Sequence, residues 1–260
     1  MDKSKLIIAK VILFLFSIVF LFSLYNIIVW YCDSKETNNM INRLQQVTSI
    51  HASNDGISTQ VLDRTDYYDE KFLNVDFTNL LKENEDVVGW IQILGTNIDY
   101  PFVQYKNNDY YLTHSFDKSR NLAGWLFLDY RNSIDFSDMN TIIYAHGRVD
   151  GTMFGSLKNI LDEKWLSSEK PIIKISTLTY RYIFEIFSAY HISTTNDYLI
   201  TNFSEVSEYS NFLKTIQSRS MVRFNVPVTT NNKIITLSTC YNNSEKMVVH
   251  AKLIKQEKCY

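Results

Sequence analysis

The longest unbroken apolar stretch in the chain comes first. Residues 11–31 are apolar apart from Ser17, Ser23 and Asn26 and carry no charge. A helix needs roughly 20 such residues to cross the hydrocarbon core of a bilayer. Lys3, Lys5 and Lys10 precede the stretch, and Asp33, Lys35 and Glu36 follow it. Lysines on the leading side predict a cytoplasmic N-terminus over residues 1–10, a single-pass transmembrane anchor over 11–31 and an extracellular remainder. Trp30 and Tyr31 suit the outer interface. The run is long and no small-x-small site follows it, which sets it apart from a cleaved signal peptide.

Past the anchor the periodicity weakens, and residues 32–74 read as a stalk with an N-terminal helix. Met40, Ile41, Leu44 and Val47 have helical spacing, and 51–69 reads as a loop. A short helix opens at 76–81. From Val87 the pattern becomes that of strands, at 88–93, 98–104, 110–112, 124–128 and 140–145. A short helix is expected over 153–161, then a hairpin of long strands over 170–176 and 180–191. Residues 204–218 read as a helix with Val206, Tyr209, Phe212, Leu213 and Ile216 on one face. Strands at 234–240 and 247–254 close the chain. Many short strands with few helices predict one mostly β (α+β) domain over 75–260 that closes into a barrel.

Composition narrows the function classes. The chain has 26 basic and 28 acidic residues and no long basic run, which gives nucleic acid no footprint. Tyr (17) and Phe (16) are plentiful while Gly (7) and Pro (3) are scarce, a strand-rich rather than a disordered balance. There is no Walker loop, no GxGxxG and no ligand cluster, so neither a metal nor a cofactor is expected. The three cysteines, Cys32, Cys240 and Cys259, are far apart and form no CxxC.

Cys240 ends the run Ile234-Ile235-Thr236-Leu237-Ser238-Thr239-Cys240. Four β-branched or apolar residues suit a strand covered on both faces, and Ser238 and Thr239 then carry the chain toward solvent. That stretch alone leaves a nucleophile and a buried packing thiol equally open. A nucleophilic cysteine needs a cation or base beside it. Of the five histidines, His146 alone also ends an apolar strand and meets a flexible turn, whereas His250 lies within a strand. Neighbouring strands ending on His146 and Cys240 would bring the pair to one rim of a barrel.

These residues resemble a known family. Thr236-Leu237-Ser238-Thr239-Cys240 is similar to the signature of sortases, the cell-wall transpeptidases of Gram-positive bacteria. Ile142-Ile143-Tyr144-Ala145-His146 followed by Asp150-Gly151-Thr152-Met153-Phe154 resembles the class B form of the histidine motif. Gly89-Trp90-Ile91, Gly95-Thr96 and Ile98-Asp99-Tyr100-Pro101 resemble the class B opening strands. The resemblance covers about residues 75–255 and implies an eight-stranded sortase-type closed β-barrel. It implies N-terminal helices and an extra helix before the cysteine strand as well.

The implied activity is transpeptidation: Cys240 attacks after the Thr of a C-terminal sorting signal, and an amine resolves the thioacyl enzyme. His146 would be the general acid and base. The implied partners are sorting-signal-bearing secreted proteins, with a peptidoglycan precursor or pilin amine as acceptor. Lys246 stands where the family carries an arginine, and the connection from Cys240 to Lys246 is short for class B. Lysine keeps the charge without the planar fork. Lys246 acting in its place, Arg148 or Arg223 reaching in, and a weak or inactive binding domain all stay open. The resemblance places Thr194, Tyr198, Leu199, Asn108, Leu112 and Ser238 along the sorting-signal groove. A papain-like protease would place Cys before His, the reverse of the order here, and the caspase Gln-Ala-Cys signature is absent.

Overall fold

A computed structural model describes residues 3–48, 70–193, 195–240 and 244–259, with the backbone alone at Cys240. The loop expected over 51–69 lies outside the described residues, as does Thr194. The apolar stretch and the helix expected near 40–47 are one element, α1 (Lys3–Val47). Residues 11–47 contain no Gly or Pro, so nothing interrupts the helix. The side chains of Ser17, Asn26 and Thr37 bond carbonyls four residues back. Its first part carries a window apolar enough to cross a membrane, none of it buried. Its second part docks on the domain through Ser34, Thr37, Ile41, Leu44 and Thr48, all buried. Val47, expected on the buried stripe, is exposed, because the helix approaches through the 34/37/41/44/48 face.

Eight strands follow the short helix α2 (Thr78–Glu83): β1 (Val87–Ile93), β2 (Asp99–Gln104), β3 (Phe127–Leu128), β4 (Asn140–Tyr144), β5 (Ile172–Thr177), β6 (Tyr180–Ser193), β7 (Ile234–Cys240) and β8 (Glu245–Lys258). They close into a barrel in the order β1-β2-β3-β4-β7-β8-β6-β5, the architecture the resemblance implied. Pairing is antiparallel except for β2 with β3 and β4 with β7. The helices are peripheral: α3 (Glu163–Ser168), opened by Asp162 accepting from Lys164 N at 2.9 Å, and α4 (Val206–Ser218), opened by a Glu205/Glu208 capping box.

Several boundaries differ from the pattern reading. Residues 110–112 form a 3₁₀ turn rather than a strand. The strand at 124–128 shrinks to two residues, since Gly124 takes φ +61° and Trp125 N bonds Tyr111 O instead of a strand partner. The helix over 153–161 is a 3₁₀ turn at Leu157–Leu161 ahead of α3. On α4, Tyr209, Phe212, Leu213 and Ile216 are buried while Val206 in the first turn is exposed.

Residues 234–239 of β7 are buried without a break. Ile235 and Leu237 join the core, and Thr236 and Ser238 alternate to the other face. That outer face is covered too: Thr236 bonds His250, whose ring meets Phe212 of α4 edge-on at 6.5 Å. A strand covered on both sides buries its polar positions too, so Thr236 and Ser238 are hydrogen-bonded to His250 and Tyr198.

Candidate active site

Cys240 is the last residue of β7, and two neighbours set what flanks it. On one side β4 runs parallel, in register from Asn140↔Ile234 to Tyr144↔Ser238, and Ala145 N bonds Ser238 O. Continuing that register by two residues on each strand puts His146 level with Cys240. On the other side β8 runs antiparallel, with Lys246 directly opposite Cys240. Directly opposed residues in such a pair stand about 5 Å apart. The cysteine position therefore lies between a histidine and a lysine, each carried by a separate strand.

His146 opens a tight hairpin. Its carbonyl accepts from Phe154 N at 3.0 Å, and Gly147 bridges Met153. Asp150 closes the turn, accepting from Thr152 N (3.1 Å), Thr152 Oγ1 (2.6 Å) and the Arg148 guanidinium (2.9 Å). Burial raises the Asp150 pKa, but the hydrogen bonds from Arg148, Thr152 and Ser34 outweigh it and hold the carboxyl well below the usual range.

The imidazole itself is oriented by Leu112, whose carbonyl lies 2.8 Å from Nε2. A carbonyl oxygen only accepts, so Nε2 carries a hydrogen, and in the neutral ring Nδ1 keeps the lone pair. Gly124 makes that approach possible. A Cβ there would meet Tyr111 O at 2.5 Å, Leu112 O at 2.9 Å and His146 Cδ2 at 3.0 Å. The turn carrying Leu112 is braced by Tyr110, whose ring stacks on His114 (4.0 Å) and on Tyr105 (4.5 Å).

Of the residues expected along a substrate groove, Asn108 and Leu112 come between β2 and β3, Tyr198 and Leu199 between β6 and α4, and Ser238 from β7. Asn108 Oδ1 accepts from Tyr130 N at 3.0 Å. Tyr198 OH and Ser238 Oγ bond one another at 3.0 Å, both buried. Leu199, next in the chain to Tyr198, is half-buried.

A buried cluster that the sequence reading did not single out ties these parts together. Asp129, fully buried, receives Arg131 through Nε (2.9 Å) and Nη2 (2.7 Å) and Tyr144 OH at 2.9 Å. Arg131 also donates to the Leu199 carbonyl at 3.1 Å. Burial raises the Asp129 pKa, but the bonds from Arg131 and Tyr144 more than offset it and the carboxyl ends below its usual value. Asp129-Tyr130-Arg131 directly after an apolar strand was the available signal. Nothing marked Gly124 among the seven glycines.

Of the two other arginines considered, Arg148 lines a small cavity with Thr239 and Met247, next to the cysteine position, and Arg223 does not. The Arg148 guanidinium is held by Asp150 and Ser34 and lies 6.0 Å from the Trp30 ring. Arg223 lines a cleft of about 770 Å³ with Phe187, Gln217 and Pro227, which none of the residues above lines.

An eight-stranded barrel that sets a strand-terminal cysteine between a histidine and a cation has the layout of a thiol acyl-transfer enzyme. The model of the Sortase domain family matches residues 91–254. Sortase B of Listeria monocytogenes is 35% identical over 240 residues, 91% of this chain and 92% of that protein. Sortase B of Staphylococcus aureus is 31% identical over 257 residues, 97% and 98% of the two chains. A crystal structure of sortase B from Bacillus anthracis superposes with a TM-score of 0.71 at 35% identity, covering 86% of this chain and 99% of that one. The chain belongs to the sortase family, in its class B branch. It is a cysteine transpeptidase.

Proposed function

We propose that this protein is a membrane-anchored transpeptidase of the cell surface that uses Cys240, His146 and Lys246. The Cys240 sulfur attacks the carbonyl after the Thr of a C-terminal sorting signal. A C–S bond forms, the C–N bond breaks, and His146, protonated at Nδ1, supplies the proton the leaving amine needs. The acceptor amine, from a peptidoglycan precursor or a pilin lysine, then attacks the thioester. His146 takes its proton and the sulfur leaves. Lys246 stabilises the oxyanion of each tetrahedral intermediate as a point charge. Tyr198, Leu199, Asn108, Leu112, Ser238 and Thr194 form or support the groove that holds the signal. The anchor at 11–31, with residues 1–10 in the cytoplasm, keeps residues 75–260 outside as the catalytic domain.

The observation that carries this reading is the register that sets position 240 between His146 and Lys246. The kinship with sortase B enzymes does not favour the alternative of a binding domain whose chemistry has lapsed. The test uses residues 33–260, which keep every strand and the docked part of α1. Incubation with a fluorogenic sorting-signal peptide should give cleavage, ligation when an amine is added, and neither with Cys240→Ala. Binding of the peptide without turnover would overturn the proposal.

A further inference from the structure

The second half of α1 fixes how the catalytic domain stands on its anchor. Ser34 Oγ donates to Asp150 Oδ2 at 2.7 Å and accepts from Arg148. Asp33 accepts from Leu122 N (3.2 Å) through Oδ2 and from Asn121 Nδ2 (3.4 Å) through its carbonyl. Gln45 donates to Asp99 O at 3.0 Å, and Arg43 forks onto Glu83 at 2.5 and 2.6 Å. Ile41 and Leu44 are buried between these bonds, which adds apolar burial to the docking. The helix is continuous, so the domain rides on a rigid post rather than on a flexible stalk.

The axial rise of about 1.5 Å per residue then sets the height of the domain. Asp33 lies two residues past Tyr31, roughly 3 Å along the axis from the end of the apolar stretch. The loops bonded at that level are 120–124 and 147–151. Each carries an exposed apolar tip: Leu122 is 53% exposed and Val149, the most exposed large hydrophobic among the described residues, 90%. Scattered surface hydrophobics are ordinary, but these two stand where the span leaves the hydrocarbon. The Trp30 ring lies beside Arg148 at that same level.

We infer that loops 120–124 and 147–151 form a lipid-facing rim, with Leu122 and Val149 seated in the headgroup–acyl boundary of the outer leaflet. The inference rests on the anchoring proposed above. The rim loops are the ones that hold the catalytic histidine: Val149 is three residues from His146, and Gly124 packs on its ring. The histidine side of the site therefore opens beside the bilayer surface.

The test places one spin label at a time on the full chain in phosphatidylglycerol/phosphatidylcholine nanodiscs, with Cys32, Cys240 and Cys259 replaced by serine. The labelled variants are Phe20→Cys, Leu122→Cys, Val149→Cys and Val206→Cys. Power saturation compares access to oxygen with access to a water-soluble nickel chelate. Labels at 20, 122 and 149 should show several-fold lower nickel access than the label at 206, an exposed site on α4. Labels at 122 and 149 as open to nickel as the one at 206, with 20 shielded, would overturn the rim and leave the anchor standing. A label at 20 open to nickel would overturn the anchor, and the rim with it.

Discussion

Lowering the pH from 7 to 5 should remove about 2 kcal/mol of folding stability through His250 alone. The ring is fully buried, with Nδ1 2.9 Å from Thr236 Oγ1 and Nε2 2.9 Å from Tyr190 OH. Thr236 gives its own proton to Asn140 Oδ1 at 2.7 Å, because the Asn140 amide nitrogen is donating to Ile200 O. The Thr236 oxygen can then only accept, so Nδ1 carries the hydrogen and Nε2 accepts from Tyr190. A proton added at Nε2 would face the Tyr190 hydroxyl donor and place a charge on a fully buried ring. Burial, and then the charge of Arg219, push the pKa down from 6.5 to about 3. The folded pKa lies below the unfolded one, so the unfolded chain binds the extra proton between these values. Stability is complete above pH 6.5 and falls by about 1.4 kcal/mol per unit below it, which gives about 2 kcal/mol by pH 5. Urea unfolding of residues 33–260, followed by tryptophan fluorescence at pH 7, 6 and 5, measures the loss. His250→Gln, which cannot titrate, should shrink the difference between pH 7 and pH 5 by about that amount. An unchanged difference in the variant would refute the reasoning. Should the variant fail to fold, an NMR titration placing the wild-type His250 near 6.5 would refute it equally.

Three further outcomes follow from the site. Gly124→Ala should cost about 1–3 kcal/mol through its positive φ and the close carbonyls. By displacing Leu112 and His146 it should also lower kcat roughly tenfold or more, read from single-turnover cleavage. Asp129→Asn should lower stability by about 1–3 kcal/mol, since Arg131 loses its bidentate partner. By loosening the grip on the Leu199 carbonyl it should raise KM more than it lowers kcat in steady-state assays. Lys246→Ala should lower kcat about 100-fold, and Lys246→Arg should raise kcat/KM. An unchanged kcat in the alanine variant would remove Lys246 from the mechanism.

What could be read in the sequence, and what could not, follows from where each signal resides. The apolar run of α1 and the Ile234–Leu237 segment are local patterns, the first long and apolar enough for a membrane span and the second suited to burial between two layers. The continuity of α1 through 32–39 was hidden because its buried face there is Ser34 and Thr37. Polar residues that bury by bonding a partner leave no hydrophobic stripe. Cys240 and His146 could be singled out as candidates because one closes an apolar strand and the other follows one by two residues. The Asp129–Arg131–Tyr144–Leu199 links were not, since they join residues as many as 68 positions apart and no periodicity reports them. The Tyr198–Ser238 bond was hidden for the same reason, its partners being 40 residues apart.

The lysine at 246 gains meaning from the register rather than from the alignment alone. It stands at the second residue of β8, directly across from the last residue of β7. On the reading proposed above, a cation carried directly opposite residue 240 would need no long reach to meet an oxyanion formed there. What lysine cannot do is present two parallel donors to two acceptors at once, as a guanidinium does. The lost fork would weaken the grip on an extended peptide more than the stabilisation of a single negative oxygen. On that reading the neighbouring residues would supply grip of another kind, since Arg131 bonds the Leu199 carbonyl and Tyr198 bonds Ser238, two residues before the cysteine. On the proposed reading, charge at the reacting carbon would come from β8 and hold on the peptide from the β3–β4 and β6–α4 connections. Such a division would let the site keep its chemistry with a lysine at this position.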